Sequence, residues 1–122
     1  MIIQINTHSQ VPIYEQLKSQ IIKKIVEGEL AEDAQLPSVR QLASDLGINL
    51  HTVNKSYKIL ESEGWVTINK KKGAFINPDI ERIKLQYNQS ELLEAIDPLL
   101  MIYKYVDGDV EQLKDMFDRY FK

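Results

Sequence analysis

The sequence predicts a mainly α-helical fold that carries one small β-hairpin and ends in a pair of helices. Apolar residues recur at helical spacing from Ile13 to Val26, from Val39 to Leu60, and again from Ile80 to Phe121. Two short β-prone runs, Trp65–Ile68 and Ala74–Asn77, flank a polar tip. Pro78 then breaks the second run, and the charge balance changes there. Residues 1–78 carry nine Lys/Arg against eight Asp/Glu, residues 79–122 carry six against ten, and the formal net charge of the 122-residue chain is −3. The expected division is residues 1–78 and residues 79–122.

Each element has a local justification. Met1 to Ile5 (MIIQI) is β-prone and is followed by polar Asn6 to Gln10. Pro12 suits the first turn of a helix, because a first-turn amide has no intrahelical partner to lose. Ile13, Leu17, Ile21, Ile22, Ile25 and Val26 supply that helix with an apolar face, and Gly28 stops it. The expected span is about Val11 to Glu27. Gly28 to Gln35 reads as a polar loop. Pro37 pushes Leu36 out of the α region, and Ser38 can cap a second helix that buries Val39, Leu42, Ala43 and Leu46 and ends at Gly47. Asn49 is a cap for a third helix with Val53, Ser56, Tyr57 and Leu60 inward and Gly64 at its end. The hairpin follows, its tip running from Asn69 through Lys70, Lys71 and Lys72 to Gly73.

Beyond Pro78, Ile80, Ile83, Leu92, Leu93, Ile96, Leu99, Leu100 and Tyr103 keep a helical period. Pro98 lies inside that pattern and is expected to kink or divide the helix, because it lacks an amide and clashes with the preceding turn. Gly108 is expected to end it. Asp109 with Gln112 resembles a capping box, opening a last amphipathic helix with Val110, Leu113, Phe117, Tyr120 and Phe121 on one face.

Composition removes several function classes. An apolar fraction of 43% supports a real core. There is no cysteine, hence no disulfide and no thiolate metal site. His8 and His51 are far apart in sequence, and no metal-type cluster accompanies either. No nucleophile motif or phosphate-binding glycine loop is present, so no enzyme activity, cofactor or metal is expected. No apolar run approaches the roughly 20 residues needed to span a bilayer, and MIIQINTHSQ lacks the features of a secretory leader. The expectation is a cytoplasmic protein with no membrane partner.

The segment from Leu36 to Val66 carries the functional signal. Two helices joined by a tight turn need a small residue where they approach, a glycine where the chain turns and an apolar anchor on the second helix. Ala43, Gly47 and Val53 supply these, so the segment reads as a DNA-binding helix-turn-helix. With Val53, Tyr57 and Leu60 inward, Leu50, His51, Asn54, Lys55 and Lys58 face outward. Asn can pair with an adenine edge, Lys can reach guanine or phosphate, and an apolar side chain can touch a thymine methyl. A solvated polar face would look similar. Thr52 suits either a phosphate contact or a local cap. Arg40 suits a phosphate, with a surface ion pair as the alternative. Lys70, Lys71, Lys72 and Gly73 form a basic hairpin tip that can lie along the DNA backbone or enter a minor groove. Trp65 reads as a core plug below the hairpin.

Leu36, Pro37, Ser38, Arg40, Leu42, Ala43, Thr52, Val53, Ser56, Tyr57, Leu60 and Gly64 together resemble the winged-helix domain of the GntR family of bacterial transcription regulators. Val11 to Ile21 and Gly28-Glu29-Leu30 are similar to that family as well. The resemblance covers about residues 10 to 77. It implies phosphate or base contacts for Arg40, Asn49, His51, Thr52, Asn54 and the wing around Lys70 to Gly73. Two positions depart from the pattern. Leu50 stands where the family commonly has Arg, and Lys71 occupies the first glycine slot of the usual wing.

About 44 residues follow Pro78, which is too short for the usual effector domain and is similar to the two-helix tail of the YtrA-type subfamily. The resemblance implies a dimerising tail and a link to transporter operons. The apolar pattern agrees: Leu92, Ile96, Leu99, Leu100, Tyr103, Leu113, Phe117, Tyr120 and Phe121 need a partner surface, with packing back onto the chain's own domain as the alternative. The expected function is a homodimeric repressor on a pseudo-palindromic double-stranded operator. A protein-interaction module without operator binding is the alternative that the acidic balance and Leu50 leave open. Tyr87, Met101 and Tyr103 leave room for a small apolar effector, although such residues more often make core or dimer contacts.

Overall fold

A computed structural model describes residues 1–121 of the chain. The chain forms two compact units, Met1–Ile83 and Lys84 onward. In the first unit, helices α1 (Ile13–Val26), α2 (Val39–Leu46) and α3 (Leu50–Ser62) precede an antiparallel hairpin of β1 (Val66–Asn69) and β2 (Gly73–Ile76). A 3-10 turn at Ile80–Arg82 leads into the short α4 (Ile83–Gln86). The second unit holds α5 (Gln89–Tyr105) and α6 (Val110–Tyr120). The mainly helical fold with a small hairpin wing is the one the sequence predicts. The first unit extends past the expected limit at Pro78, because Ile80 packs against its core and Ile83 is buried.

The helix termini follow local chemistry. Ser38 Oγ accepts the Gln41 amide at 3.0 Å, and Asn49 Oδ1 accepts the His51 amide at 2.7 Å. Gly47 ends α2 in the left-handed region at φ 66°, which a side chain would disfavour. Its amide and that of Ile48 reach back to Ala43, closing the tight turn. The first helix begins two residues later than predicted. Pro12 is its cap, extended at ψ 147°, and its carbonyl accepts the Glu15 and Gln16 amides.

Leu17, Ile21, Val53, Tyr57, Leu60 and Ile76 are sealed inside the first unit. Ser56 is also fully buried, and its hydroxyl donates to the Tyr14 carbonyl at 2.8 Å. Tyr57 donates to the Pro37 carbonyl at 2.7 Å, tying α3 to the turn that opens α2. Burial pushes the Tyr57 phenol well above its usual pKa. On the outside of the α1–α3 contact, Lys18 pairs with Glu63 at 3.4 Å and with Glu15 at 3.6 Å. Partial burial opposes the charge of Lys18, but the two carboxylates outweigh it and its pKa is raised overall.

The β-prone N-terminal piece forms no strand. Ile3 is buried, and the backbone around it is held by two glutamines of α1. Gln20 accepts the Gln4 amide at 2.9 Å and donates to the Gln4 carbonyl; Gln16 does the same for Asn6, at 2.9 and 3.0 Å. A carboxamide has one acceptor and a donor group, so glutamines one turn apart stand in for a neighbouring strand.

The hairpin pairs Val66 with Ile76, Thr67 with Phe75, Ile68 with Ala74 and Asn69 with Gly73. Each strand is therefore displaced by one residue from the predicted run, and the tip shortens to Lys70, Lys71 and Lys72. Trp65 falls outside β1: it is half-buried against the core, and its amide donates to the Leu60 carbonyl at the end of α3. The loop before α2 extends the hairpin's pairing. Leu36 donates to the Ala74 carbonyl at 2.9 Å, and Ile76 donates to the Ala34 carbonyl at 2.8 Å.

In the second unit Pro98 does not divide the helix; α5 runs unbroken through 17 residues. Its end also differs from expectation. Asp107, at φ 59°, takes the left-handed turn, and Gly108 serves a different need. A Cβ on Gly108 would clash with the Tyr103 ring, which lies across it while the Tyr103 hydroxyl donates to the Asp109 carbonyl at 2.7 Å. Asp109 caps α6 through the Glu111 amide at 2.8 Å. None of the described residues of this unit is buried. Among the described residues, no helix is long and apolar enough to cross a membrane.

Candidate nucleic-acid interface

The candidate residues fall on three pieces of the first unit. Arg40 lies in the first turn of α2. Asn49 to Lys55 form the start of α3, which packs against both α1 and α2. Lys70, Lys71 and Lys72 form the tip of the hairpin. Because Val53, Ser56, Tyr57 and Leu60 point into the core, the helical period leaves His51, Lys55 and Lys58 exposed, with Thr52 and Asn54 half-buried.

Leu50 corrects the outward face drawn from the sequence. It is half-buried and packs against the core. It is the first residue of α3, just after the turn from α2. Asn49 is also committed in part. Its Oδ1 holds the His51 amide, which leaves only its NH₂ group for an outside acceptor. Thr52 makes no such local cap: among the described residues its hydroxyl has no hydrogen-bond partner.

The cations of the first unit differ in their partners. Lys18 and Lys24 on α1 face carboxylates at 3.4 and 3.2 Å. Among the described residues, Arg40, Lys58, Lys70, Lys71 and Lys72 have no acidic partner, so the ion-pair alternative for Arg40 is not realised. No carboxylate of the described residues competes with an external anion for them. Lys55 is held differently, with its ammonium 3.8 Å from the centre of the Tyr14 ring.

Two residues that sequence reasoning passed over build the wing. Asn69 Oδ1 accepts the amides of Lys71 at 2.9 Å and Lys72 at 3.0 Å, folding the tip into a turn. Gln35 donates to the Lys72 carbonyl at 3.0 Å, and its side-chain nitrogen would lie 3.3 Å from a Cβ on Gly73. Gly73 itself is at φ 106°. Asn preceding a lysine run was a usable turn signal, whereas the Gln35 contact bridges 37 positions and has no local signature.

Residues 13–76 match the family model described as bacterial regulatory proteins, gntR family. The chain belongs to the GntR family. It is 31% identical over 113 residues to the HTH-type transcriptional repressor YtrA of Bacillus subtilis, an alignment covering 93% of this chain and 87% of that one. Among solved structures, a transcriptional antiterminator from Listeria monocytogenes superposes with a TM-score of 0.78 at 30% identity, covering 100% of this chain and 91% of the other. YtrA from Sulfolobus acidocaldarius, a GntR-family transcription factor, superposes with a TM-score of 0.65 at 35% identity, covering 88% and 100%. The protein is a GntR-family, DNA-binding transcription regulator of the YtrA type, and α2–α3 with the hairpin is its winged helix-turn-helix.

Of the tail residues expected to pair with a partner, Leu92, Ile96, Leu99, Leu100, Phe117, Tyr120 and Phe121 are exposed, while Tyr103 and Leu113 are half-buried. Tyr103, with Met116 and Phe121, also lines an open concavity whose polar rim includes Asp115, Asp118 and Arg119. Of the other two residues considered for an effector, Tyr87 and Met101 do not line it.

Proposed function

We propose that the protein is a cytoplasmic homodimeric repressor that grips a pseudo-palindromic operator. In this reading α3 enters the major groove with Asn54 and His51 at base edges. Arg40, Thr52, the Asn49 amide and the Lys70–Lys72 tip take phosphates. The observation that carries it is that Arg40, Lys58 and the three wing lysines have no acidic partner among the described residues, whereas Lys18 and Lys24 on α1 are paired with carboxylates. The chain's net charge of −3 is no obstacle, because the local field governs phosphate binding. Leu50 supports the α3 start from below in this arrangement and reads no guanine, so base discrimination passes to His51 and Asn54.

The tail supplies the dimer. Its exposed apolar faces are covered when two copies associate, and tethering two winged units raises their combined affinity for paired half-sites. Half-sites about one helical turn, roughly 34 Å, apart suit such a dimer. The transporter operon that the YtrA-type resemblance implies is the target we assign.

Footprinting on the DNA upstream of the protein's own gene tests the reading. The expected result is a protected, near-symmetric site. Replacing Lys70, Lys71 and Lys72 together by Ala should weaken binding and flatten its salt dependence by about one slope unit for each phosphate left without its lysine. Absence of any protected site at moderate salt would favour a protein-interaction module instead.

A further inference from the structure

Lys55 of α3 and Tyr14 of α1 form a contact between two helices that the outward face of α3 by itself does not account for. Tyr14 is the second residue of α1, and Lys55 is the sixth residue of α3. The ammonium lies 3.8 Å from the ring centroid. The backbone that carries the ring is anchored, because the Tyr14 carbonyl accepts the hydroxyl of Ser56, the residue next to Lys55, at 2.8 Å, and Ser56 is fully buried. Ring and ammonium thus meet across a tied junction between α1 and α3.

The identity of the partner matters. In the same α1–α3 contact Lys18 faces the carboxylates of Glu15 and Glu63. Lys55 faces a ring. A carboxylate would neutralise the ammonium, whereas an aromatic face attracts it through its quadrupole and leaves the net charge intact. A free lysine on a helix surface spreads its charge over many rotamers, and ordering it on binding carries an entropic cost. A lysine already resting on a ring, with its remaining N–H groups open to solvent, meets an anion with part of that ordering complete.

We propose that Tyr14 is a positioning residue for operator binding, holding Lys55 in place for a DNA phosphate and so extending the interface from α3 to the start of α1. This rests on the reading that α3 meets DNA. The test uses the full chain and a duplex selected by the wild-type protein from a random-sequence pool, with affinity measured by fluorescence anisotropy across a salt series. Thermal melting of each variant establishes that it is folded at the assay temperature.

K55M should weaken binding roughly three- to thirtyfold and make the salt slope shallower by about 0.9. Y14L should weaken it within that range, Y14F should restore most of what Y14L loses, and the Y14L/K55M double variant should bind no worse than K55M. Equal weakening by Y14L with and without Lys55 would show that Tyr14 only packs. Tighter binding by Y14L would show that the ring withholds Lys55 from DNA. Either result overturns the assignment while an N54A loss keeps α3 at the DNA. If N54A and K55M both bind like the wild type, the α3 interface falls and this inference falls with it.

Discussion

In residues 1–83 the large apolar side chains Leu17, Ile21, Tyr57 and Leu60 are sealed from solvent. In residues 84–121 none is, and Leu99 and Phe121 are 65% and 82% exposed. The two units are built from similar amphipathic helices, so composition does not explain the contrast. Three helices and a hairpin can enclose a common interior. Two helices can cover only one stripe of each other, and α5 carries apolar side chains around about half its circumference. Exposed apolar area on that scale is what the proposed dimer would cover. The charged groups are distributed in the opposite sense. The winged unit satisfies its core internally and keeps unneutralised cations outside, so it is suited to a polyanion, whereas the tail is suited to an apolar partner.

The sharpest way to break this contrast is to charge the tail. Replacing Leu99 and Phe117 together by Glu should leave the winged unit folded and render the protein monomeric in analytical ultracentrifugation. Operator affinity should then fall by about 10²- to 10⁴-fold as tethering disappears. A variant that stays dimeric would place the interface elsewhere. Leu60→Ala should do the converse: it empties space in the closed core and should cost about 2–5 kcal/mol in denaturant unfolding of the winged unit.

A smaller effect should appear in alkali. Burial raises the Tyr57 pKa above that of an unfolded tyrosine, which is near 10.0. The protonated phenol therefore contributes stability that is fully present below about pH 10 and is lost as pH rises through the folded-state value. Tyr57→Phe should lower the melting temperature at neutral pH by removing the bond to Pro37, a loss of about 1 kcal/mol, and should also remove this alkaline decline. An unchanged pH profile would mean that the phenol is not the titrating group. The smallest effect concerns the wing. Gln35→Ala should speed hydrogen exchange at the Lys71 and Lys72 amides and weaken operator binding only a few-fold, with no change in the melting temperature beyond about 1 kcal/mol equivalent.

Much of the fold was legible in the sequence because its signals are local. Ser38, Asn49 and Asp109 each cap a helix by reaching an amide two or three residues ahead, and Gly47 supplies the left-handed turn between α2 and α3. The inward face of α3 followed from its period. The exposure of His51, Lys55 and Lys58 followed from the same period, and the basic hairpin tip from a lysine run. The misreadings arose where a distant group decided the outcome. Leu50 looked outward by period, but the packed turn draws it toward the core. Met1 to Ile5 looked like a strand, but its backbone is held by side chains of α1. Gly108 looked like a helix stop, but the Tyr103 ring requires it.

By itself the sequence determined the helices, their caps, the hairpin and the basic character of its tip, because each rests on contacts within a few residues or on a simple period. Tertiary structure alone decided how the candidate interface is held. Gln35 reaches the wing across 37 positions, Ser56 reaches Tyr14 across 42, and Tyr57 reaches Pro37 across 20. Such bonds leave no periodic trace in the chain, because they form only after the helices have packed and brought those atoms within reach.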